Sequence, residues 1–284
     1  MKEECPSSTA LRVAMHRAAH QVMDDPRVFN DPLALRILGM ENGPALLSDP
    51  KWSEQASLSI RLRAFLAARS RYVEDELDAA VKRGVHQYVV LGAGLDTFAY
   101  RQSYHEDVLH VFEVDHPATQ SWKRSRLNEA AIPIPPTLTY VPVDFEAQTL
   151  DEGLQRAGFD TEVCTFFSWL GVTQYLTENA INATLRFVAS LLANSVIVFD
   201  YTMSPSLLSP TAREAFDKLA RRVALAGEPF QTFFGPSLLK SSLTATGFRH
   251  IDDLGPAEMN TRYFQRRADT LQVGGFTRVM NARV

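Results

Sequence analysis

Gln87-Tyr88-Val89-Val90-Leu91-Gly92-Ala93-Gly94-Leu95-Asp96-Thr97-Phe98-Ala99-Tyr100-Arg101 is the stretch that decides the fold. Its run 88–91 is apolar or aromatic throughout, as a strand covered on both faces requires, and it ends at a glycine turn. Gly92 and Gly94 carry no Cβ, so the chain can turn tightly there and a ligand can approach the backbone. A second strand-like run, 110–114, leads into Asp115, about 20 residues beyond Gly94. Strand, glycine turn and strand-end acid at this spacing form the first half of a βαβ unit that grips the ribose of an adenosine cofactor.

A missing third glycine separates two kinds of adenosine cofactor. A nicotinamide or flavin site sets a glycine where this chain has Thr97, so that a helix N-terminus can close on a pyrophosphate. S-adenosylmethionine carries no phosphate and needs only the open turn and the ribose acid. The turn therefore favours S-adenosylmethionine over NAD(P). A strand-turn-helix with no ligand stays open as the plain alternative, because short glycine motifs recur by chance.

The rest of the chain is bounded by its composition. With 284 residues, 45% hydrophobic and 22% charged, it has the make-up of a globular protein of one large or two small domains. At this length about 75% of the unfolded surface is buried on folding, so no disulfide or metal staple is needed. A net charge of -4, with basic residues scattered, gives no electrostatic footprint for nucleic acid or an anionic membrane. The two cysteines, Cys5 and Cys164, have no histidine pair nearby, which argues against a zinc site and a disulfide framework. Cys164 reads as a small buried core residue. With no apolar leader and no run of about 18 apolar residues, the expected location is the cytoplasm.

Residues 1–55 read as a broken helical cap. An amphipathic helix is predicted over 11–23, stopped by Asp24-Asp25-Pro26, then a short helix with Asp31 as N-cap and Pro32 in its first turn. A long helix is predicted over 54–82, its apolar stripe running through Leu58, Leu62, Leu66, Val73, Leu77 and Ala80. Arg69 lies on that stripe and Arg71 off it. A cation facing the core needs an anionic partner. That partner is either a carboxylate of the fold or the carboxylate of a bound amino-acid moiety, which arginine grips with two parallel hydrogen bonds. The sequence leaves the two open.

Strands are then predicted in alternation with helices, over 88–91, 110–114, 138–143, 163–169 and 195–201, with two late strands over 248–251 and 275–282. Thr177 is placed to cap the helix between the fourth and fifth, with Leu176 and Ile181 set for a hydrophobic staple. Gly235-Pro236 and Gly247 bracket another helix. This alternation predicts an α/β fold with a mostly parallel sheet. The division is a cap over 1–55 and a cofactor-binding domain over 56–284, with an insert at 202–235 on the substrate side.

Ligands of such sheets lie beyond the carboxyl ends of the strands. Those ends are Gly92, Asp115, Asp144 and the pair Trp169-Leu170. Asp144 offers an acceptor for an exocyclic amine and Phe145 an apolar face for a purine, unless Asp144 caps a helix. Tyr201 ends the fifth strand, and Phe230, Phe233 and Phe234 crowd the loop after it. These rings line the acceptor side, or else pack the cap onto the sheet. A mostly apolar wall suits a hydrophobic small molecule. His116 is the one histidine at a strand end, and a structural or surface role competes with any catalytic one.

Several stretches resemble the leucine carboxyl methyltransferase-like family of S-adenosylmethionine-dependent O-methyltransferases, in its bacterial branch. They are Met23-Asp24-Asp25-Pro26-Arg27-Val28-Phe29-Asn30-Asp31-Pro32-Leu33-Ala34, Val90-Leu91-Gly92-Ala93-Gly94-Leu95-Asp96-Thr97 with Arg101, and Phe112-Glu113-Val114-Asp115-His116-Pro117. Later matches are Val143-Asp144-Phe145, Gly171-Val172-Thr173-Gln174-Tyr175-Leu176-Thr177, Gly227-Glu228-Pro229 with Phe233-Phe234, and Arg262-Tyr263-Phe264. The resemblance implies a class I methyltransferase (Rossmann-like) sheet of seven strands, the last antiparallel, under an N-terminal cap. It implies that Gly92, Ala93 and Gly94 face the methionine part of the cofactor, that Asp115 takes the ribose and that Asp144 with Phe145 receives the adenine. It also implies that Arg69, with Arg71 the alternative, meets the cofactor carboxylate. Where many members carry an acid before Gly-Val, this chain has Leu170, so only a backbone carbonyl of Trp169 or Leu170 is left to accept from the cofactor's ammonium.

The resulting expectation is an S-adenosylmethionine-dependent methyltransferase acting on a carboxylate or hydroxyl oxygen of a hydrophobic small molecule, with no metal and no nucleic-acid or membrane partner. Two rivals remain. One is an NAD(P)-dependent oxidoreductase, opposed by Thr97. The other is a non-catalytic protein that keeps the cofactor pocket and has lost its acceptor site, kept alive by Leu170.

Overall fold

The structure is a computed structural model that describes residues 8–39, 60–145, 147–225 and 227–284. The predicted residues 54–59 of the long helix, Leu58 among them, and Cys5 lie outside the described residues. Strands β1 (Gln87–Leu91), β2 (His110–Asp115), β3 (Leu138–Pro142), β4 (Thr165–Trp169), β5 (Val196–Thr202), β6 (His250–Leu254) and β7 (Thr277–Arg283) form one sheet in the order β3-β2-β1-β4-β5-β7-β6. The first five run parallel to one another, and β7 runs antiparallel to both β5 and β6. This is the class I methyltransferase sheet. The central strands β1, β4 and β5 are buried at every position, as a sheet covered on both faces demands.

Helices cover both faces. α1 (Ser8–Met23) and α2 (Ile60–Lys82) precede the sheet. Then come α3 (Phe98–Arg101), α4 (Pro117–Glu129), α5 (Leu150–Arg156), α6 (Glu178–Ala189), α7 (Pro210–Leu225), α8 (Pro236–Thr246) and α9 (Pro256–Tyr263). Alternate residues of β1 divide between the layers: Tyr88 and Val90 join the cluster with α2, while Val89 and Leu91 join the one with α6. Thr177 does cap α6, accepting from the Ala180 N–H at 3.3 Å, and Gly235 and Gly247 do flank α8.

Some boundaries moved. β4 starts at Thr165 rather than at 163, and β6 runs His250–Leu254 rather than 248–251. The short helix after Pro32 is one turn and a 3-10 segment, Arg36–Leu38, ended by Gly39 at φ 71. Asp31 still accepts from the Leu33 N–H at 3.0 Å. The insert carries a helix that periodicity had not announced, α7. Cys164 is half-buried rather than buried, with its thiol on the Ala193 carbonyl at 3.2 Å.

The described N-terminal segment is fastened by buried charge. His20 accepts at Nε2 from the Val28 and Phe29 N–H groups, both 3.1 Å, which leaves Nδ1 to donate to Asp24 at 2.7 Å. Asp24 in turn takes two bonds of 2.8 Å from Arg63 of α2. Burial works against the Asp24 charge, but His20 and Arg63 outweigh it and hold the carboxyl below the usual range. A second tie runs to the glycine turn. Thr97 donates to Asp31 at 2.8 Å, and Arg17 and Arg101 flank the same carboxylate. The residue that replaces a dinucleotide-binding glycine thus ties the N-terminal segment to the turn.

Candidate functional site

A cavity of about 300 Å³ lies beyond the carboxyl ends of β1, β2 and β4. The register sets those ends level: Leu91 pairs with Val114 on one side and with Trp169 on the other. The turn that follows lines the cavity with Gly92, Ala93 and Gly94. Gly92 has φ 67, and a Cβ there would lie 2.3 Å from the Val172 side chain. Gly94 has φ 46, with Ala10 of α1 close above it. Only glycine satisfies both the backbone and the space at Gly92.

Asp115 also lines the cavity. Its carboxylate accepts from the Gly94 N–H at 2.6 Å and the His116 N–H at 2.7 Å. Burial pushes its carboxyl up, and those two donors partly offset the shift. Asp144 and Phe145 stand beside it, with Asp144 4.0 Å from His116 Nε2. Asp144 caps no helix, since α5 starts later and Thr149 caps it. His116 lines the cavity too, but its Nδ1 accepts from the Ala118 N–H at the start of α4.

Arg69 is buried at the cavity wall and Arg71 is on the exposed face of α2, as the stripe required. Its anionic partner is internal. Arg69 pairs with Asp200 of β5, which is 1% exposed and also accepts from the Gly171 N–H at 2.6 Å. Arg69 Nε has no acceptor among the described residues, so the guanidinium keeps donor capacity at the wall.

Several other predicted residues lie away from the first cavity's lining. Leu170 is on the cavity wall, but Trp169 is not; its fully buried ring packs in the opposite layer, 6.2 Å from Phe145 and 6.4 Å from Phe199. Tyr201 is fully buried on that same layer and its hydroxyl donates to Asp253 at 3.1 Å. Strand alternation explains it: Asp200 and Thr202, not Tyr201, share the face that looks toward α2. Phe233 packs edge-on to Phe216 and Phe234 edge-on to Tyr201, and neither lines a cavity described here. Phe230 does line one, a smaller space next to the first.

The sequence reading missed several wall residues. Tyr88 and Ser168, joined by a 2.7 Å hydrogen bond, face the cavity from β1 and β4. Thr9, Val13 and Arg17 come from α1, and Gly227, Glu228 and Gln231 from the loop after α7. Glu228 accepts from the Thr9 N–H at 3.1 Å and from the Thr9 hydroxyl, joining these two segments of the wall. The Gly227-Glu228-Pro229 motif was the available signal. Among the described residues no cluster of three or more His, Cys, Asp or Glu could hold a metal, and no helix is long and apolar enough to cross a membrane.

The fold and the site define a class I methyltransferase architecture. Residues 10–189, more than half of the chain, match the leucine carboxyl methyltransferase family, and the chain belongs to that family. A Bacillus subtilis (strain 168) protein named "Putative S-adenosyl-L-methionine-dependent methyltransferase YktD" is 33% identical over 296 residues, covering 95% of each chain. A Frankia alni protein of the same designation, FRAAL3718, is 33% identical over 66% of this chain and 65% of its own. Among solved structures, one titled a "putative methyltransferase" from Thermobifida fusca YX superposes with a TM-score of 0.55 at 13% identity, covering 87% of this chain and 91% of that one. It is similar in fold.

Proposed function

We propose that this chain is an S-adenosylmethionine-dependent O-methyltransferase whose acceptor is a carboxylate or hydroxyl of a hydrophobic small molecule. Methyl transfer from S-adenosylmethionine rests on membership of the family. The observation that supports it at the site is the convergence of the glycine turn, Asp115, Asp144 and Phe145 on one cavity. These residues suit the cofactor by chemistry: a carboxylate for two ribose hydroxyls, an acceptor and a ring for adenine, and glycines where a backbone N–H must stay reachable. Gly92, Ala93, Gly94, Asp115, Asp144 and Phe145 would hold it, with Arg69 toward its carboxylate. The cofactor, when bound, supplies an electrophilic methyl group. The protein's own part is to hold the acceptor in line and exclude water, which is worth several kcal/mol without any ionisable catalyst.

A carboxylate acceptor is already ionised at neutral pH, which fits a wall where Leu170 replaces an acid. The decisive experiment follows labelled methyl from S-adenosylmethionine into a cell lysate. We expect label in the small-molecule fraction. With a carboxylate acceptor the rate should be flat from about pH 6 to 9, whereas a phenol gives a rate rising with pH. Label found only in protein or nucleic acid overturns the acceptor class.

A further inference from the structure

The second cavity, about 80 Å³, lies over the other half of the sheet. The first cavity sits over the ends of β1 and β2, whereas this one is reached from β5 and β7 through Asp200, Thr202 and Thr277. The two share the walls Thr9, Val13, Arg69, Gly171 and Tyr175. The two spaces therefore adjoin along that shared lining.

The body of the second cavity is apolar, formed by Phe65 and Leu66 of α2, Val223 of α7, Phe230 and Phe276. At roughly 10–15 Å³ per water-sized group, it holds on the order of half a dozen such groups. Its rim is cationic. Arg12 and His16 project from α1 into the lining. Burial, then the nearby charges of Arg63, Arg12 and Arg222, lower the His16 pKa to about 4, so at neutral pH it adds no charge. Arg63 is neutralised by Asp24, but Arg12 and Arg222 press on each other, and Arg222 is lowered by burial and by Arg12. An anion in the cavity beside Arg12 relieves that repulsion.

We propose that the second cavity is the acceptor site, that it takes a small hydrophobic acid with a short branched or aromatic tail, and that Arg12 is the residue that selects for the acid. This deepens the methyltransferase reading and rests on it. The tail lies among Phe65, Leu66, Val223, Phe230 and Phe276. The acidic group stays within reach of Arg12, and the reacting oxygen is directed between Thr9, Arg69 and Tyr175 into the first cavity, where it meets the methyl group directly.

Calorimetric titration with phenylacetate and its uncharged counterpart phenylacetamide tests this, using protein saturated with S-adenosylhomocysteine. The acid should bind, and the amide roughly tenfold or more weaker, as the loss of a charged hydrogen bond predicts. Arg12→Met should bring the acid down to the level of the amide, and Arg12→Lys should restore part of the preference. Phe230→Trp, which fills the cavity, should abolish binding of both probes and leave S-adenosylhomocysteine affinity unchanged. Val223→Phe should do the same by a second route, and retained S-adenosylhomocysteine binding shows that each variant is folded. Failure of both probes to bind at millimolar concentration overturns the assignment. So does acid binding that is indifferent to Arg12→Met and to both filling substitutions, or acid that competes with S-adenosylhomocysteine. The two readings fail separately: protein that binds no S-adenosylhomocysteine counts against the methyltransferase reading, whereas protein that binds it but not the acid counts only against the acceptor site.

Discussion

Glu113 and Asp115 sit two positions apart on one strand and do different work. Glu113 is 1% exposed, paired with Lys123 at 2.7 Å and touched by the Tyr100 hydroxyl at 3.1 Å. Asp115, at the strand end, reaches the cavity. Replacing Asp115 by alanine should weaken S-adenosylhomocysteine binding about 10- to 150-fold, the loss of a charged hydrogen bond worth about 1.5–3 kcal/mol. Unchanged affinity in a calorimetric titration would take Asp115 out of the site. For Arg69→Met the expectation is a loss of about 3–5 kcal/mol in the ligand-free protein, because Asp200 is left buried without its cation. A urea melt that matches wild type would show the pair to be dispensable. The choice of Arg69 over Arg71 was legible, since it depends on local helical spacing. Its partner was not, because Asp200 is 131 positions away and sits inside an apolar strand like any core neighbour. The rings were illegible for another reason: an aromatic residue reads the same in a cavity wall and in a core.

At the scale of elements, the turn after β1 serves two structures at once. Its glycines open the cavity, and its Thr97 carries the cap through Asp31. Gly92→Ala should cost more than about 1 kcal/mol, since it sets a side chain at positive φ and against Val172. Thr97→Val keeps the volume and removes only the hydroxyl, leaving Asp31 one donor short at a cost of about 1–3 kcal/mol. If denaturant melts of Thr97→Val and wild type coincide, the tie between cap and turn is weaker than its burial implies. Strand order and helix placement were readable because each strand advertises itself locally by its apolar run and turn. The attachments of the N-terminal segment were not, since they are buried ion pairs between segments that look like ordinary charged surface in the sequence.

For the molecule as a whole, the predicted class I sheet is the one found, with strand ends moved by one to three residues. Ligand binding should register globally: S-adenosylmethionine at about 100 times its dissociation constant should add about 2.7 kcal/mol of stability, and NAD none. Stabilisation by NAD alone would sink the methyltransferase reading. Stability should also follow Glu113. Burial, partly countered by Lys123, pushes its carboxyl from 4.5 up to about 7. The folded state therefore holds a proton that the unfolded state has released, and the stability this group adds is full below 4.5 and lost as pH rises through about 7. Comparing urea melts at about pH 5 and about pH 8, Glu113→Gln should lose less stability on the rise than wild type. Equal slopes would mean another group sets the trend.

The bond from Thr9 to Glu228 has a kinetic meaning. It joins the first turn of α1 to a loop more than two hundred residues later, and both segments wall the cavity. Parting of that seam would widen the cavity on this side. Amides in the first turn of α1 should exchange with deuterium at the rate of this local opening rather than of global unfolding. Bound S-adenosylhomocysteine should slow them, and Glu228→Gln should speed them in the free protein while shortening the residence time of the ligand.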